Sequence, residues 1–397
     1  MLNQLLHTKV QLYLCCAFAF FLSFKFALPI FVVLMVLNSL FEGNFHARYS
    51  NIPNKKQVLL FCSLYILYLI GMLYSENKSY GWADLQTKLS MLLFPLLLNF
   101  SQFEQQETKK IQQFFLAGVV IASVSLLGRA TFYYFYEHLN YFYYVDFSVF
   151  LHPSYFGMMI NLALIFILLD APNLGISSSL VRITLLLFFS LIILLLSSKL
   201  ALISCLLIFI GVGIYRILHS KNYFTGIVFL LLFIAASASI IYTVPELNQR
   251  IQNARVVLNA NSIDKTDAES NAVRILVWQA ATAAFLENGI VGTGTGDVKD
   301  ELFKHYKLNG YTGALEHRLN AHNQFLQTGV ALGYFGFVLF LLSIIAPASV
   351  ALKSKNYVYV SFILLVVLNF LTESMLESEA GVFIFAFFNS LLFFRKM

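Results

Sequence analysis

A polar stretch at residues 316–324, "EHRLNAHNQ", stands directly before an apolar run and carries side chains suited to acid–base chemistry. His322 lies just ahead of the apolar run, where a neutral imidazole can accept a proton from a sugar or phenolic hydroxyl, because histidine titrates near neutral pH. The alternative is an interfacial histidine that caps the next helix, with Asn320 as a second candidate cap. His317 and Arg318 can bind lipid phosphates or polar headgroups.

Two more cationic positions suit the recognition of an anion. Lys199, within "SSKLAL", lies between two apolar runs, and a cation there suits a phosphate or pyrophosphate; snorkelling to the surface is the alternative. Arg274 and Trp278 are four residues apart and therefore share one face of a helix. For this pair the alternative is an arginine at the lipid headgroups beside a tryptophan in the aromatic belt.

Acidic residues cluster in "LTESMLESEAGVF", between the last two apolar runs. One carboxylate can orient His322, the group can neutralise cations on the same side, or it forms an acidic turn with no further role. The "HPSYFGMM" stretch places His152 and Tyr155 near the same side. The acidic residues are Glu373, Glu377 and Glu379.

We expect membrane helices to hold these residues in place. The chain has 397 residues, of which 59% are hydrophobic and 12% charged, about half the charged fraction of a soluble domain. Apolar runs of spanning length predict an all-α polytopic membrane protein with about twelve transmembrane helices. The predicted spans are 10–24, 26–42, 57–74, 84–100, 111–136, 151–169, 180–197, 199–218, 223–243, 325–350, 357–373 and 380–394.

The distribution of basic residues predicts the orientation of these spans. With both termini in the cytoplasm, the inner loops and ends collect thirteen lysines and arginines, and the short outer loops hold three. This bias accounts for the net charge of +6 without nucleic acid. The first apolar run, which follows Lys9, is interpreted as an uncleaved span because no small-residue cleavage site follows it. Three segments result: 1–243 with spans one to nine, 244–324 as a long outer loop, and 325–397 with spans ten to twelve.

The sequence of the long outer loop predicts short helices within it. Residues 272–289 form an amphipathic helix on or near the membrane surface. "GTGTGD" at 292–297 lacks the strand and spacing of a dinucleotide site. It is either a structural turn, with Asp297 capping a short helix that ends near Gly310, or a contact for a phosphate. The four cysteines lie in apolar runs and predict neither disulfides nor a metal centre.

Taken together, four motifs resemble the O-antigen ligase and polymerase superfamily of bacterial envelope glycosyltransferases. They are "SSKLAL" at 197–202, "RILVW" at 274–278, "GTGTGD" at 292–297 and "HNQFLQTGVALGYFG" at 322–336. In the last motif, the family pattern of H-N/S-x-x-L running into a Gly-x-x-Gly helix is matched by His322, Asn323, Leu326, Gly333 and Gly336. The resemblance covers about 197–340.

The resemblance implies a GT-C-like fold and a glycan donor on undecaprenyl pyrophosphate at the periplasmic face of the bacterial inner membrane. His322 would activate or position the acceptor hydroxyl, and the pyrophosphate would be held by Arg274, Lys199 and Arg318. The family usually carries arginine where this chain has Lys199, which keeps the charge but lacks the bidentate fork. Supporting roles would fall to Asn323, Trp278, His317 and Glu373.

The same resemblance implies membrane lipids as surroundings, a lipid A-core or other glycan acceptor, and no metal or other cofactor. Three alternatives remain: an O-antigen polymerase, a protein O-oligosaccharyltransferase, and a polysaccharide or lipid transporter. Transporters usually show internal repeats and broken helices near the bilayer midplane, whereas the polar residues here collect toward one face.

Overall fold

The computed structural model describes residues 2–43, 54–219, 227, 231, 264–266 and 271–395. These residues form helices and no strand. The α-helices are, in chain order, α1 (Leu2–Phe21), α2 (Leu28–Phe41), α3 (Lys55–Gly71), α4 (Lys78–Lys88), α5 (Ser90–Ser101), α6 (Gln105–Tyr136), α7 (Tyr144–Phe147), α8 (Pro153–Asp170), α9 (Ser179–Leu196), α10 (Lys199–His219), α11 (Asn271–Glu287), α12 (Val298–Asn309), α13 (Thr312–Glu316), α14 (Gln324–Lys353), α15 (Tyr357–Thr372) and α16 (Glu379–Phe394).

The prediction of an all-α membrane protein is confirmed. Within the described residues, six helices are long and apolar enough to cross a membrane, and four shorter apolar helices accompany them. The predicted count of twelve is not confirmed. The ninth predicted span, 223–243, lies outside the described residues except at two positions, and the predicted span 84–100 is divided into α4 and α5 at Leu89.

Phenylalanine packing fixes the last helix, α16, at the centre of the bundle. The Phe18 ring of α1 lies 4.9 Å from Phe387, and the Phe115 ring of α6 lies 4.8 Å from Phe388. Nearly every residue of α16 is buried, and tilted or edge-on aromatic pairs add stability beyond the area they bury. The packing of α16 therefore also fixes the position of its first residues, where the connection from α15 ends.

The turn that contains "GTGTGD" at 292–297 stabilises a break in α14. Gly333 has φ 63° and ψ −162° in the middle of this helix, so the neighbouring backbone groups lose their helical partners. The turn replaces them: Thr293 N–H donates to Val330 O at 2.9 Å, and Gly294 N–H donates to Ala331 O at 3.0 Å. A Cβ on Gly333 would lie 2.3 Å from Ile290 O, which explains the glycine. The structure thus supports the structural interpretation of this turn.

Asp297 precedes α12, as the cap prediction requires, but its carboxylate is used elsewhere. It accepts backbone N–H groups from Glu76 and Asn77, both at 2.7 Å, and makes no side-chain cap to α12. The predicted cap is therefore wrong, because the turn between α3 and α4 supplies two N–H donors to the same oxygens. The predicted end of the helix is right, since Gly310 follows α12 with φ 66°.

Candidate functional site

Three segments that are distant in sequence converge on one carboxylate. Glu373, at the end of α15, accepts a hydrogen bond from Arg274 Nη2 at 2.8 Å and lies 3.3 Å from His322 Nδ1. Arg274 comes from the first turns of α11, and His322 comes from the turn before α14. We call these three residues the Glu373 cluster. It unites the predicted catalytic residue, a predicted pyrophosphate ligand and a predicted supporting residue.

The amphipathic pattern of α11 explains how Arg274 reaches this place. Val277, Ala281 and Ala284 are buried on one side of α11, and the helix packs on α12 and α14. On another side, Trp278 Nε1–H donates to the carbonyl oxygen of His322 at 3.2 Å. The shared face predicted for Arg274 and Trp278 is therefore directed at the Glu373 cluster, and α11 is a packed helix of the protein instead of one that only rests on lipid.

The backbone of His322 has an unusual conformation, which neighbouring hydrogen bonds stabilise. Its φ is 43°, in the left-handed region that non-glycine residues seldom adopt outside special sites. Its N–H donates to Asn320 Oδ1 at 2.9 Å. Asn323 then caps α14 by accepting Leu326 N–H at 3.1 Å. Asn323, and neither His322 nor Asn320, is thus the helix cap, which leaves the imidazole for another task.

Asn323 also ties the turn to the next connection. Its backbone N–H donates to Ser374 Oγ at 3.2 Å, and its side-chain amide donates to Leu371 O at 3.2 Å. These contacts hold the His322 turn against the chain that carries Glu373. The predicted supporting role of Asn323 is consistent with this geometry and stays a prediction.

The charge on Glu373 is favoured by its surroundings. Burial alone raises the pKa of this carboxyl, but the hydrogen bond with His322 and the charges of Arg274, His322 and His152 outweigh it. The pKa of Glu373 is therefore lowered from its ordinary value of 4.5. An ionised Glu373 can hold the proton on Nδ1 of His322 and leave Nε2 as the basic nitrogen.

The cluster is open enough to meet a substrate. The exposed fractions are 31% for the Arg274 side chain, 14% for Glu373 and 24% for His322. The contact with Glu373 involves one nitrogen, Nη2, of a guanidinium that carries five N–H donors. The arrangement thus offers an oriented imidazole beside a partly solvated cation, which suits proton removal next to a bound anion.

Three predicted ligands lie outside the cluster. His317 and Arg318 are exposed in the turn after α13, and neither belongs to the ion pairs of the Glu373 cluster. Arg318 has φ 50°, in the left-handed region, so the chain turns between these two residues and His322. Lys199 begins α10, which packs on α8, α9 and α15. Pyrophosphate binding by Lys199 and Arg318 and the supporting role of His317 stay predictions.

A second charged cluster was not predicted as a unit. Lys88 Nζ contacts Asp84 and lies 2.7 Å from Glu377 Oε1, and it stands 4.7 Å from the centre of the Tyr68 ring. We call Lys88, Asp84 and Glu377 the Lys88 cluster. The signal in the sequence was a lysine in an apolar run, where an unpaired charge is costly. Its partner, 289 residues further along, could not be chosen among the three acidic candidates.

Groups near the two clusters confirm that "HPSYFGMM" reaches the same region. His152 lies close enough to Glu373 to favour its ionised form. The Tyr155 hydroxyl makes a hydrogen bond with the side chain of Ser378, which directly follows Glu377. Both residues stand at the start of α8, whose N-terminus therefore meets the connection between α15 and α16.

One further group has the side chains of a metal site. Oxygen atoms of Glu287 and Glu301 and a ring nitrogen of His305 lie within 4.8 Å of one another where α11 ends against α12. Lys304 Nζ lies 2.8 Å from Glu301 and already supplies a positive charge there. This group shares no residue with the Glu373 cluster.

Comparison with known proteins agrees with the motifs. The helices and the charged residues at one end of the bundle define a membrane protein with a partly exposed polar cluster. Residues 184–341 match the Wzy_C family model, described as O-antigen ligase, and this match confirms the resemblance to the O-antigen ligase superfamily. No curated protein matches the chain.

The matched segment includes Arg274, Trp278 and His322, whereas Glu373 and the Lys88 cluster lie outside it. The family and the apolar helices together indicate a membrane protein that handles glycans in the manner of O-antigen ligases and polymerases. Members of this family are glycosyltransferase-like enzymes, and a glycan donor and a glycan acceptor in the membrane are implied.

Proposed function

We propose that the protein is a ligase that transfers a glycan from undecaprenyl pyrophosphate to a lipid A-core type acceptor. The observation that carries this proposal is the bridge made by Glu373, which holds an imidazole at 3.3 Å and a guanidinium at 2.8 Å. A base and an anion-binding cation on one carboxylate fit a reaction that removes a proton from the acceptor and releases a pyrophosphate.

In the proposed reaction, His322 acts as the base. The acceptor hydroxyl gives its proton to Nε2, and its oxygen forms a bond to the anomeric carbon of the donor sugar. The bond between that carbon and the pyrophosphate oxygen breaks, and undecaprenyl pyrophosphate leaves with the electron pair. Glu373 stabilises the imidazolium that results, as the carboxylate of a hydrolase triad does for its histidine.

Arg274 binds the pyrophosphate in this proposal. Negative charge grows on the leaving oxygen, and a preorganised cation stabilises it at low cost because no side chain has to reorient. The contact with Glu373 fixes the guanidinium plane, and the remaining N–H donors face a partly solvated space suited to two phosphate oxygens. Pyrophosphate is an activated leaving group, so the reaction draws on no ATP.

The periplasmic face of the inner membrane is proposed as the site of transfer. The basic-residue bias predicts the Glu373 cluster on the outer side. The structure supports that assignment indirectly, since Arg395 follows α16 and pairs with Asp170 at 3.6 Å, whereas Glu373 precedes α16. Predicted inner and outer residues thus fall at opposite ends of one central helix.

A paired analysis of surface glycans and lipid-linked intermediates in a deletion strain tests the proposal. A ligase leaves full-length polymer on its lipid carrier and a bare surface acceptor. Single repeat units that still reach the acceptor identify a polymerase instead. Unchanged lipid A-core glycans together with loss of glycan from exported proteins indicate a protein glycosyltransferase, and no change in any pool contradicts glycan transfer.

A further inference from the structure

We propose that Lys88, held between Asp84 and Glu377, is a positioning residue that keeps Glu373 and His322 in register for glycan transfer. This inference rests on the proposed function, because its main readout is the rate of that reaction. It concerns residues outside the segment that matches the O-antigen ligase family. It assigns a task to a buried charged group that the proposed reaction does not itself use.

The burial of the Lys88 cluster shows that it cannot meet substrate directly. The side chain of Lys88 is 0% exposed, that of Asp84 6% and that of Glu377 11%. Charges removed from water lose hydration energy, and a buried ion pair is seldom a net source of stability. Breaking such a pair is nevertheless costly, because one charge then remains buried alone. A cluster of this kind fixes a geometry.

The Lys88 cluster fixes the position of the connection between α15 and α16. Glu373 begins this connection and Glu377 lies four residues later. Between them, Met375 and Leu376 are fully buried, and Leu376 N–H donates to Gln324 Oε1 at 2.7 Å. The connection is thus held at one end by the Lys88 cluster and offers Glu373 at the other.

His322, which contacts Glu373, is also linked to the Lys88 cluster. The Tyr68 ring, which lies against the Lys88 ammonium, carries a hydroxyl 3.2 Å from Thr328 Oγ1. Thr328 accepts from Gln324 Nε2 at 3.2 Å, and Gln324 begins α14 two residues after His322. Lys88 is therefore linked to Glu373 through Glu377, and to His322 through Tyr68 and the first turn of α14.

Two routes of packed and hydrogen-bonded residues thus run from the Lys88 ammonium, one to Glu373 and one to His322. Because the side chains of Glu373 and His322 lie 3.3 Å apart, a change in either route should alter the reaction rate. If either route loosens, the distance between Glu373 and His322 changes before any substrate contact is lost. Misplacement of a catalytic group by about 1 Å can cost about 10²-fold in rate. The loss should therefore fall mainly on kcat. The KM for the donor should change less, because Arg274 keeps its charge and its N–H donors even when Glu373 is displaced.

The test uses full-length protein in detergent with a lipid-linked glycan donor and a lipid A-core acceptor. The variants are Lys88→Arg, Lys88→Met and Glu377→Gln. The matched control is Asp170→Asn, which removes a charge from the buried pair with Arg395 at the other end of α16, about 24 Å away for a helix of sixteen residues. Each protein is measured for kcat, donor KM, pH–rate profile and thermal unfolding.

We expect Lys88→Met and Glu377→Gln to lower kcat by about 10- to 100-fold, with donor KM changed by less than about 3-fold. Their pH–rate profiles should change shape, because His322 loses its fixed partner. Lys88→Arg should recover part of kcat, since it keeps the charge. The Asp170→Asn control should lower the unfolding temperature and leave kcat and the profile unchanged.

Two failures can be told apart. If the unaltered protein transfers no glycan, the proposed function fails. If it is active, and both Glu377→Gln and Lys88→Met keep the kcat and pH profile of the unaltered protein, the positioning role is overturned. Should Lys88→Met fail to fold, Glu377→Gln decides, because the introduced amide retains a hydrogen-bond acceptor for Lys88 and relieves one of two buried carboxylate charges.

Discussion

Two carboxylates on one short connection, Glu373 and Glu377, serve clusters of different kinds. Glu373 holds an arginine and a histidine whose side chains are 31% and 24% exposed, whereas Glu377 holds a lysine that is 0% exposed. Both clusters contain a cation within 2.8 Å of a carboxylate oxygen. Ion pairing alone therefore does not distinguish a reactive site from a structural one.

The two clusters differ in solvent exposure and in the hydrogen-bonding groups that remain for a ligand. In the Glu373 cluster, a histidine nitrogen and several guanidinium donors remain for a ligand. In the Lys88 cluster, two carboxylates and an aromatic ring surround the ammonium. A low-dielectric environment strengthens every contact in such a cluster, so it suits the holding of a segment in place.

His322→Ala should have the largest effect. Removing a general base typically costs about 10²- to 10⁴-fold in rate, and we expect a fall of that size in kcat with normal insertion and unfolding temperature. Transfer is measured with purified protein and lipid-linked donor. The control is His138→Ala, at an exposed histidine in the loop after α6. Equal activity of the two variants would remove His322 from the mechanism.

Glu373→Gln should come next. The substitution keeps the shape and removes the charge that orients His322 and stabilises its protonated form, so kcat should fall by about 10²-fold or more, within the range known for triad carboxylates. The same change at Glu377 should cost less, because Glu377 acts through the connection. The comparison of kcat for the two glutamine variants is the measurement. A larger loss at Glu377 would reverse the assignment of the clusters.

Arg274→Ala should act mainly on donor recognition. Hydrogen bonds to charged groups contribute about 1.5–3 kcal/mol, so kcat/KM for the donor should fall by about 10- to 100-fold. Arg274→Lys should recover part of this, since lysine keeps the charge without the fork. Arg182→Ala, at the start of α9, is the control. If the acceptor dependence changes and the donor dependence does not, Arg274 binds the acceptor side instead.

The smallest effect concerns pH and stability. The folded-state pKa of Glu373 lies below its ordinary value of 4.5, so the stability that its charge contributes is present above that value. This contribution is lost as the pH falls through the lower folded pKa. The unfolding temperature of the unaltered protein should therefore exceed that of Glu373→Gln at pH 7, and the gap should narrow as the pH falls below 4.5. A gap independent of pH would contradict the ionised state of Glu373.

Most of the helical architecture could be predicted from local patterns. Apolar runs of spanning length correspond to α6, α8, α9 and α14 with errors of a few residues. The division between α4 and α5 was not predicted, because Leu89 keeps helical angles of φ −54° and ψ −33° and the apolar run continues through it. The break at Gly333 was also missed, since its backbone partners come from the distant turn at 289–294.

The site was predicted in part. Residue type and motif identified His322 and Arg274, and the acidic turn was recognised as a candidate partner. The choice among Glu373, Glu377 and Glu379 required their positions in space, because all three lie within seven residues. His317 and Arg318 were selected by proximity in sequence to His322, whereas in the structure both are exposed in the turn after α13.

Composition, hydrophobic run length and a family motif are local properties. They are enough to predict the membrane environment of this protein, its class of fold and the kinds of charged residue at one end of its bundle. Which of these charges meet depends on how the helices pack. Pairings such as Arg274 with Glu373 and Lys88 with Glu377 join residues 99 and 289 positions apart. They exist because helix packing brings those positions to one end of the bundle and excludes water from one pair more than from the other.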